Sequence, residues 1–458
     1  MKHFSTPKIT LTRQQRQDAG RALRTKCSRK SHETWNPPSS RPDPISVLIR
    51  TSKGRIPHLL PIRYGRMMQS PFAFFRGAAA IMAGDLAHTP RSSIAVQVCG
   101  DCHLMNFGLF ATPERRLIFD ISDFDETVPA PWEWDVKRLA ASFVIAAQHI
   151  RFSKRDARDV AERLARSYRL HVADFSEMRV LERWYERLDA DELIGQIRSK
   201  KWKKLVRKRI AKEMGQSIVE HDFPKLAYMK NGRARIKDNP PLIFHQTAVG
   251  AKAYDQMVRS AFRRYCETLA DDRRTLLEHF EIQDLAAKVV GVGSVGTHCA
   301  VLLLMAGDDD PLFLQVKEAR RSVLEPYAGK SIYRNQGQRV VAGQRLMQAA
   351  SDLFLGWTTG EAGRHFYVRQ LRDIKISPVI EIMTPKAMNT YADACGWALA
   401  RAHAKSGDSS MIAGYLGRSA RFDEAVARFA VAYAEQNERD HRALLDAIRA
   451  RKIPVQRE

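Results

Sequence analysis

The sequence predicts an α+β fold, and three observations carry that reading. Strand-like apolar runs are confined to residues 94–121 and 289–371. Long charged stretches with helical signals surround them. The chain has 458 residues, 44% hydrophobic and 28% charged, enough for a sizeable core. That length allows about three domains, or two large ones. The composition excludes a mainly disordered chain, a collagen-like repeat and a small disulfide scaffold.

The elements follow in order. Residues 1–60 read as a basic, loosely ordered arm with a Pro-rich linker at Pro37-Pro38 and Pro42-Asp-Pro44. A helix is expected over 67–88, with Pro90 just beyond it as a stop. Ile94–Val98 is a short strand. Phe107–Ala111 and Leu117–Ile121 are two more, joined by Thr112-Pro-Glu-Arg-Arg116. Pro131 opens a helix to about residue 148. Ser153 with Asp156 resembles a capping box for a long helix to about 174. Residues 175–285 read as mostly helical, with a break at Asp238-Asn-Pro-Pro241. Val289–Gly296 then leads into a strand at Cys299–Met305. A turn at Gly307–Pro311 and a strand at Leu312–Val316 follow. A helix near 338–355, a strand at Phe366–Leu371 and helices over 387–450 complete the chain. The expected units are 1–60, 61–285, 286–375 and 376–458.

The chain carries 75 Lys+Arg against 51 Asp+Glu, a formal net charge of +24. Half of that excess lies in residues 1–66, and the block Arg198–Lys212 is basic without an acid. Both are either solvated surface or contacts for anionic partners, such as a nucleic acid or a membrane surface. No apolar run is long enough for a transmembrane helix. The N-terminus lacks the apolar run of a secretory signal. With six cysteines in so long a chain, a reducing cytoplasm is expected.

The most informative stretch is Cys99-Gly-Asp-Cys-His-Leu-Met-Asn106, followed by Asp120-Ile-Ser-Asp-Phe-Asp-Glu126. If Phe107–Ala111 pairs with Leu117–Ile121, Asn106 and Asp123 leave adjacent strand ends, and such strands sit ~5 Å apart. Their oxygens could share one Mg²⁺, a hard cation that prefers oxygen ligands, with Asp125 as a further candidate. Asp101, on the loop just before, could orient a hydroxyl and accept its proton. A base, a metal clamp and positioning are what phosphoryl transfer needs. Cys99-Gly-Asp-Cys-His103 is also a literal Cys-x-x-Cys-His, the c-type haem pattern. The missing export signal and the strand-like flanks weigh against haem. Zinc lacks a second Cys/His pair at suitable spacing.

Gly291-Val-Gly-Ser-Val-Gly296 fits Gly-x-Gly-x-x-Gly. A dinucleotide-binding fingerprint requires a helix next, whereas a strand is expected here. A glycine turn between strands is instead a cover for nucleotide phosphates. The strand after it ends in Val316-Lys317, and Lys317 supplies a point charge for those phosphates. An acid should hold the lysine: the helix near 338–355 offers only Asp352, Glu318 would face the other side of the strand, and Glu325 is the better candidate, at short spacing.

Gly100-Asp-Cys-His-Leu-Met-Asn106 and Asp123 resemble the Gly-Asp-x-His-x-x-Asn motif and following Asp of aminoglycoside and choline kinases. The resemblance implies an ATP- and Mg²⁺-dependent phosphotransferase with a two-lobed protein-kinase-like fold and helical additions. It implies Asp101 as base, Asn106 and Asp123 at the metal, and Gly291, Gly293, Gly296 and Lys317 at the nucleotide. Asp135 matches the helical Asp that braces the catalytic loop in those kinases. Cys99 departs from the motif, which has a histidine there. The glycine turn follows the catalytic loop instead of preceding it, so the fold would be circularly permuted. His103 either orients the loop or is a structural histidine.

Arg63-Tyr-Gly-Arg-Met67, Ser70–Gly77, Gly100–Gly108, Trp134-Asp-Val-Lys-Arg-Leu139, Leu314–Ala319, Arg339–Arg345 and Ala398–His403 resemble a bacterial family, domain of unknown function 2252. That likeness spans about residues 55–440 and implies no activity by itself. The expected acceptor is a small molecule or a protein side chain, and nucleotidyl transfer is a variant. The rival reading is a non-catalytic nucleotide sensor or scaffold whose basic segments dock nucleic acid or membrane.

Overall fold

A computed structural model describes residues 11–197, 200–215, 223–245, 251–289, 291–307, 310–371 and 374–456. It is mixed α+β with antiparallel sheets. The helical body packs Trp132–His149, Lys154–Glu177, Pro385–Ser406 and Arg421–Arg449 against one another. Residues 132–147 are buried on every face, as a helix at the centre of a bundle must be. Glu133 and Asp135 in its first turn complement the helix dipole. Trp132 stacks on Tyr168 with ring centroids 5.5 Å apart. Ser153 caps the next helix, its hydroxyl accepting from the Asp156 amide at 3.1 Å.

The hairpin forms in the expected register, with Phe107 opposite Ile121 and Ala111 opposite Leu117. It belongs to a four-stranded sheet completed by Lys375–Ile376 and Leu188–Asp189. The second large sheet has six strands. Their order is Gly356–Thr359, His365–Gln370, Asp310–Glu318, Cys299–Ala306, Glu281–Lys288 and Ile243–Phe244. Lys317 sits opposite Cys299 on one side and Tyr367 on the other. Paired residues share a face, so Lys317 and Tyr367 rise together.

Four expectations change. Residues 175–285 also contain strands: Ala227–Lys230, Arg233–Ile236, Ile243–Phe244 and Glu281–Lys288. Glu281–Lys288 finds its place only by pairing with Cys299–Ala306, a contact its own sequence does not announce. The helix expected over 67–88 is broken into Leu60–Met67, Pro71–Gly77 and Ala79–Ala87. Ser70 caps a new start and Pro71 has no amide to continue the old one. The helix expected over 338–355 is Gln336–Met347, starting at the Asn335 cap.

The arm is the fourth change. Within the described residues it is not loose. Arg13–Ala22 packs on the helix Ser409–Leu416, and Gly20 and Gly414 let the two backbones meet. Its cations are used internally: Arg16 pairs with Asp408, and Arg41 bridges Asp85 and Asp440. Arg24 donates to the Gly414 and Tyr415 carbonyls, and Arg29 to that of Leu416. These are unsatisfied carbonyls at a helix C-terminus, a natural seat for cations. Met1–Thr10, at the start of the arm, lies outside the described residues, as do Arg198 and Ser199 of the second basic block. The rest of that block is in the helix Lys200–Met214. No helix among the described residues is long and apolar enough to cross a membrane.

Candidate active site

The loop before the hairpin is held from below. Asp135, on the central helix, accepts from the Cys99 amide at 2.7 Å and the Gly100 amide at 3.0 Å. His403 lies 3.4 Å from the same carboxylate and is in turn 2.8 Å from the Tyr168 hydroxyl. Gly100 has φ +86°, and a Cβ there would come within 2.3 Å of the Glu126 carbonyl oxygen. A glycine is therefore required where the loop passes under residues 123–126. Ser142 accepts from the Leu104 amide at 3.0 Å.

Asp101 is held on one oxygen only. Arg138, itself buried, donates from Nε to Asp101 Oδ1 at 2.7 Å. Oδ2 lies 4.0 Å from His103 Nε2. Burial, opposed by Asp101 and reinforced by Arg76 and Arg138, lowers the His103 pKa to about 4, so this imidazole is neutral at pH 7. Asn106 donates from Nδ2 to the Asp101 carbonyl at 2.8 Å, which fixes its amide and leaves Oδ1 as the atom it could offer to a ligand. The Ser122 amide donates to the Asn106 carbonyl at 2.8 Å and ties the two hairpin ends together.

Lys317 reaches this hairpin from the six-stranded sheet. Its Nζ is 3.8 Å from Asp123 Oδ2 and forms an ion pair with Asp125 Oδ2. The lysine is buried, at 3% side-chain exposure, so its charge is balanced by this pair of carboxylates. Burial alone would raise the Asp123 pKa, but Lys317 and then Arg369 outweigh it and hold that carboxyl at about 2. Conversely, burial disfavours the lysine charge, but Asp123 and Asp125 raise its pKa well above the ordinary value. Asp125 is the more fully engaged acid. Its Oδ1 accepts from the Tyr367 hydroxyl at 2.8 Å, and its Oδ2 also accepts from Ser294 at 3.4 Å.

The partner of Lys317 is therefore the Asp123/Asp125 pair, not Glu318, Glu325 or Asp352. Glu318 accepts from the His298 amide and Asp352 from the Phe354 and Gln370 amides. Glu325 sits in the short helix Glu325–Ala328.

The glycine turn joins two paired strands. Gly291 and Gly296 have φ +64° and +84°. Its outer carbonyls are pinned: Arg66 donates to Gly291, Arg55 to Gly293 and Val295, and the Ile56 amide to Gly296. Its inner edge, Gly291 to Ser294, lines a cavity of about 610 Å³ together with Asp101, Asn106, Asp123 and Asp125. Gly296 supports the turn from behind, its position for a Cβ 3.2 Å from the Arg55 side chain. The volume is within the ordinary range for a small-molecule site.

The cysteine motif takes no part in this cavity. Cys99, Cys102 and Asp135 bring ligand atoms within 4.8 Å of one another. Both Asp135 oxygens already accept backbone amides, and burial pushes the Cys102 thiol up to about 11 and that of Cys99 well above its usual value. With both carboxylate oxygens taken by amides of the loop, Asp135 braces it. All six cysteines are free thiols.

Tyr367, Arg138, Ser294 and the two arginines behind the glycine turn escaped the sequence reading. Each acts across a long-range contact; Ser294 lies in the glycine motif, and Arg138 and Arg66 lie in stretches read only for the family likeness.

Fold and site together define an α+β protein in which an acidic hairpin and a lysine-bearing antiparallel sheet meet beside one polar cavity. The chain belongs to the bacterial family described as "Uncharacterized protein conserved in bacteria (DUF2252)", which it matches over residues 55–447. Searches of curated proteins and of solved structures each found no match.

Proposed function

We propose that the protein is an ATP- and Mg²⁺-dependent phosphotransferase with a permuted, two-lobed kinase-like arrangement. The observation that carries this reading is the approach of Lys317 to Asp123 and Asp125, from a strand that follows a glycine turn in sequence. Three consecutive antiparallel strands with glycines at the first turn and a lysine on the third suit a nucleotide triphosphate.

Asn106 and Asp123 fit a magnesium ion. Both offer hard oxygen atoms, one amide oxygen oriented by its own Nδ2 bond and one carboxylate kept ionised. The ion would supply charge neutralisation for the β- and γ-phosphates. In this reading Asp125 positions Lys317, because both of its oxygens are committed within the protein. Gly291 and Gly293, which line the cavity, hold the phosphates, with Gly296 supporting the turn and Lys317 supplying positive charge from behind Asp123 and Asp125.

Asp101 Oδ2 receives the proton of the acceptor hydroxyl. The acceptor oxygen bonds to the γ-phosphorus as the bond to the β–γ bridging oxygen breaks, and that electron pair leaves with ADP. Arg138 keeps Asp101 in place and His103 stays neutral beside it.

The test is ligand-linked stability. A ligand that binds only the native state raises its melting temperature. ATP with Mg²⁺ is expected to raise Tm in the parent. Asp123→Asn should reduce that shift while the unliganded protein remains folded. Equal shifts in both proteins would remove the metal role.

A further inference from the structure

The cavity holds more positive charge than the nucleotide reading uses. Seven arginines line it: Arg55, Arg63, Arg76, Arg320, Arg321, Arg334 and Arg364. Three are committed to the protein. Arg55 donates to the Gly293 and Val295 carbonyls, Arg63 to Gly77, and Arg320 to Thr51 and Lys53. Arg76 differs. Among the described residues its guanidinium has no hydrogen-bond or ion-pair partner, and its Nε is shut away from solvent. Its guanidinium carbon lies 6.0 Å from the Phe72 ring, and the Asp101 and Glu381 carboxylates act on its charge from beyond ion-pair distance. Arginine stays charged in proteins, so this is a partly buried cation without an acceptor. Burial costs this group hydration that the more distant carboxylates only partly return.

Its location points to a use for that charge. Arg76 follows Phe75 in the helix Pro71–Gly77. The Phe75 carbonyl accepts from Arg138 Nη2 at 3.1 Å, and the same guanidinium holds Asp101 through Nε. Arg138 thus fixes the helix that carries Arg76 relative to the Asp101 carboxylate. His103, with Nε2 4.0 Å from Asp101 Oδ2, has a buried Nδ1 that also lacks a partner among the described residues. Arg76 and His103 thus both lie near the carboxylate that would meet an acceptor.

We propose that the acceptor substrate carries an oxyanion, a phosphate or carboxylate, that binds Arg76 and directs the acceptor hydroxyl to Asp101. This rests on the phosphotransferase reading for the hydroxyl, but not for the oxyanion site itself. A planar guanidinium suits either group through paired N–H donors. It would also offset the repulsion between an anionic acceptor and the nucleotide phosphates.

The test is calorimetric, on the full chain. The protein is first saturated with Mg²⁺ and a non-hydrolysable ATP analogue, which fills the phosphate positions of the nucleotide. Inorganic phosphate is then titrated in one arm and succinate in another. One of them should bind the parent, and which one does tells a phosphorylated acceptor from a carboxylic one. Arg76→Gln should weaken that binding at least tenfold, with analogue affinity unchanged within twofold. Arg76→Lys, which keeps the charge and loses the fork, should fall between and guards against a folding defect in the first variant. Absence of binding in both arms, equal binding in parent and Arg76→Gln, or an equal loss of analogue affinity would each overturn the proposal. If the parent fails to bind the analogue, the phosphotransferase reading falls. Arg76-dependent oxyanion binding in the same experiment without nucleotide would still uphold the site, and its absence there would overturn it.

Discussion

Lys317 Nζ lies 3.8 Å from Asp123 Oδ2, and the same ammonium pairs with Asp125. The lysine comes from the third strand of a sheet and the two acids from the exit of a hairpin in another. Each side needs the other: the lysine is buried and could not remain charged alone, and the two acids would repel. The contact thus brings the sheet that carries the glycine turn against the hairpin that follows the Asp101 loop.

Tyr367→Phe tests how Lys317 is held. The variant removes the hydroxyl that donates to Asp125 at 2.8 Å and keeps the ring beside the lysine. A hydrogen bond to a charged group contributes about 1.5–3 kcal/mol. Denaturant unfolding should show a loss on that order, and the analogue affinity should fall several-fold as Lys317 loses its fixed partner. Unchanged affinity with reduced stability would make Tyr367 a packing residue only.

Gly414→Ala tests the docking of the N-terminal helix. A Cβ at 414 would lie 2.0 Å from the Gln17 carbonyl oxygen, and one at Gly20 would lie 2.0 Å from that of Met411. Backbone cannot yield cheaply there, and overpacking typically costs about 1–3 kcal/mol or more. The variant should melt at lower temperature, and limited proteolysis should cut first within residues 11–30. A melting curve matching the parent would mean that the helix Arg13–Ala22 contributes little to the fold.

The hairpin and its loop were legible because their signals are local: an apolar pair of strands, a turn between them, and acids at both open ends. The glycine turn and Lys317 were legible for the same reason. Tyr367 was not, since only the pairing of Asp310–Glu318 with His365–Gln370 brings it opposite Lys317. The arm misled the composition reading. Clustered arginines look like free surface charge, but Arg24 and Arg29 close the carbonyl end of a helix nearly 400 residues away. Charge counts do not reveal the partners that folding supplies.

His103 provides a pH test. Burial lowers its folded-state pKa to about 4, below the unfolded value near 6.5. The unfolded chain therefore takes up the proton first as pH falls. This part of the stability is intact above pH 6.5, declines between 6.5 and about 4, and is constant below. His103→Gln should reduce the loss of stability on going from pH 7 to pH 5, as read from urea unfolding. An NMR titration of the imidazole with a midpoint near 6.5 would contradict the burial argument.

The central claim is that Asp101 accepts a proton during transfer of the γ-phosphoryl group. The most direct measurement compares parent and Asp101→Asn in two assays: binding of the ATP analogue by calorimetry, and release or transfer of radiolabelled γ-phosphate from ATP. Asparagine keeps the shape and still accepts from Arg138, but it has no carboxylate to take a proton. Turnover should fall by roughly two to four orders of magnitude, the usual worth of a positioned base, while the analogue Kd stays within about threefold. Turnover undiminished in Asp101→Asn, or nucleotide binding without turnover in the parent across a broad acceptor panel, would contradict the account, the latter in favour of a nucleotide sensor.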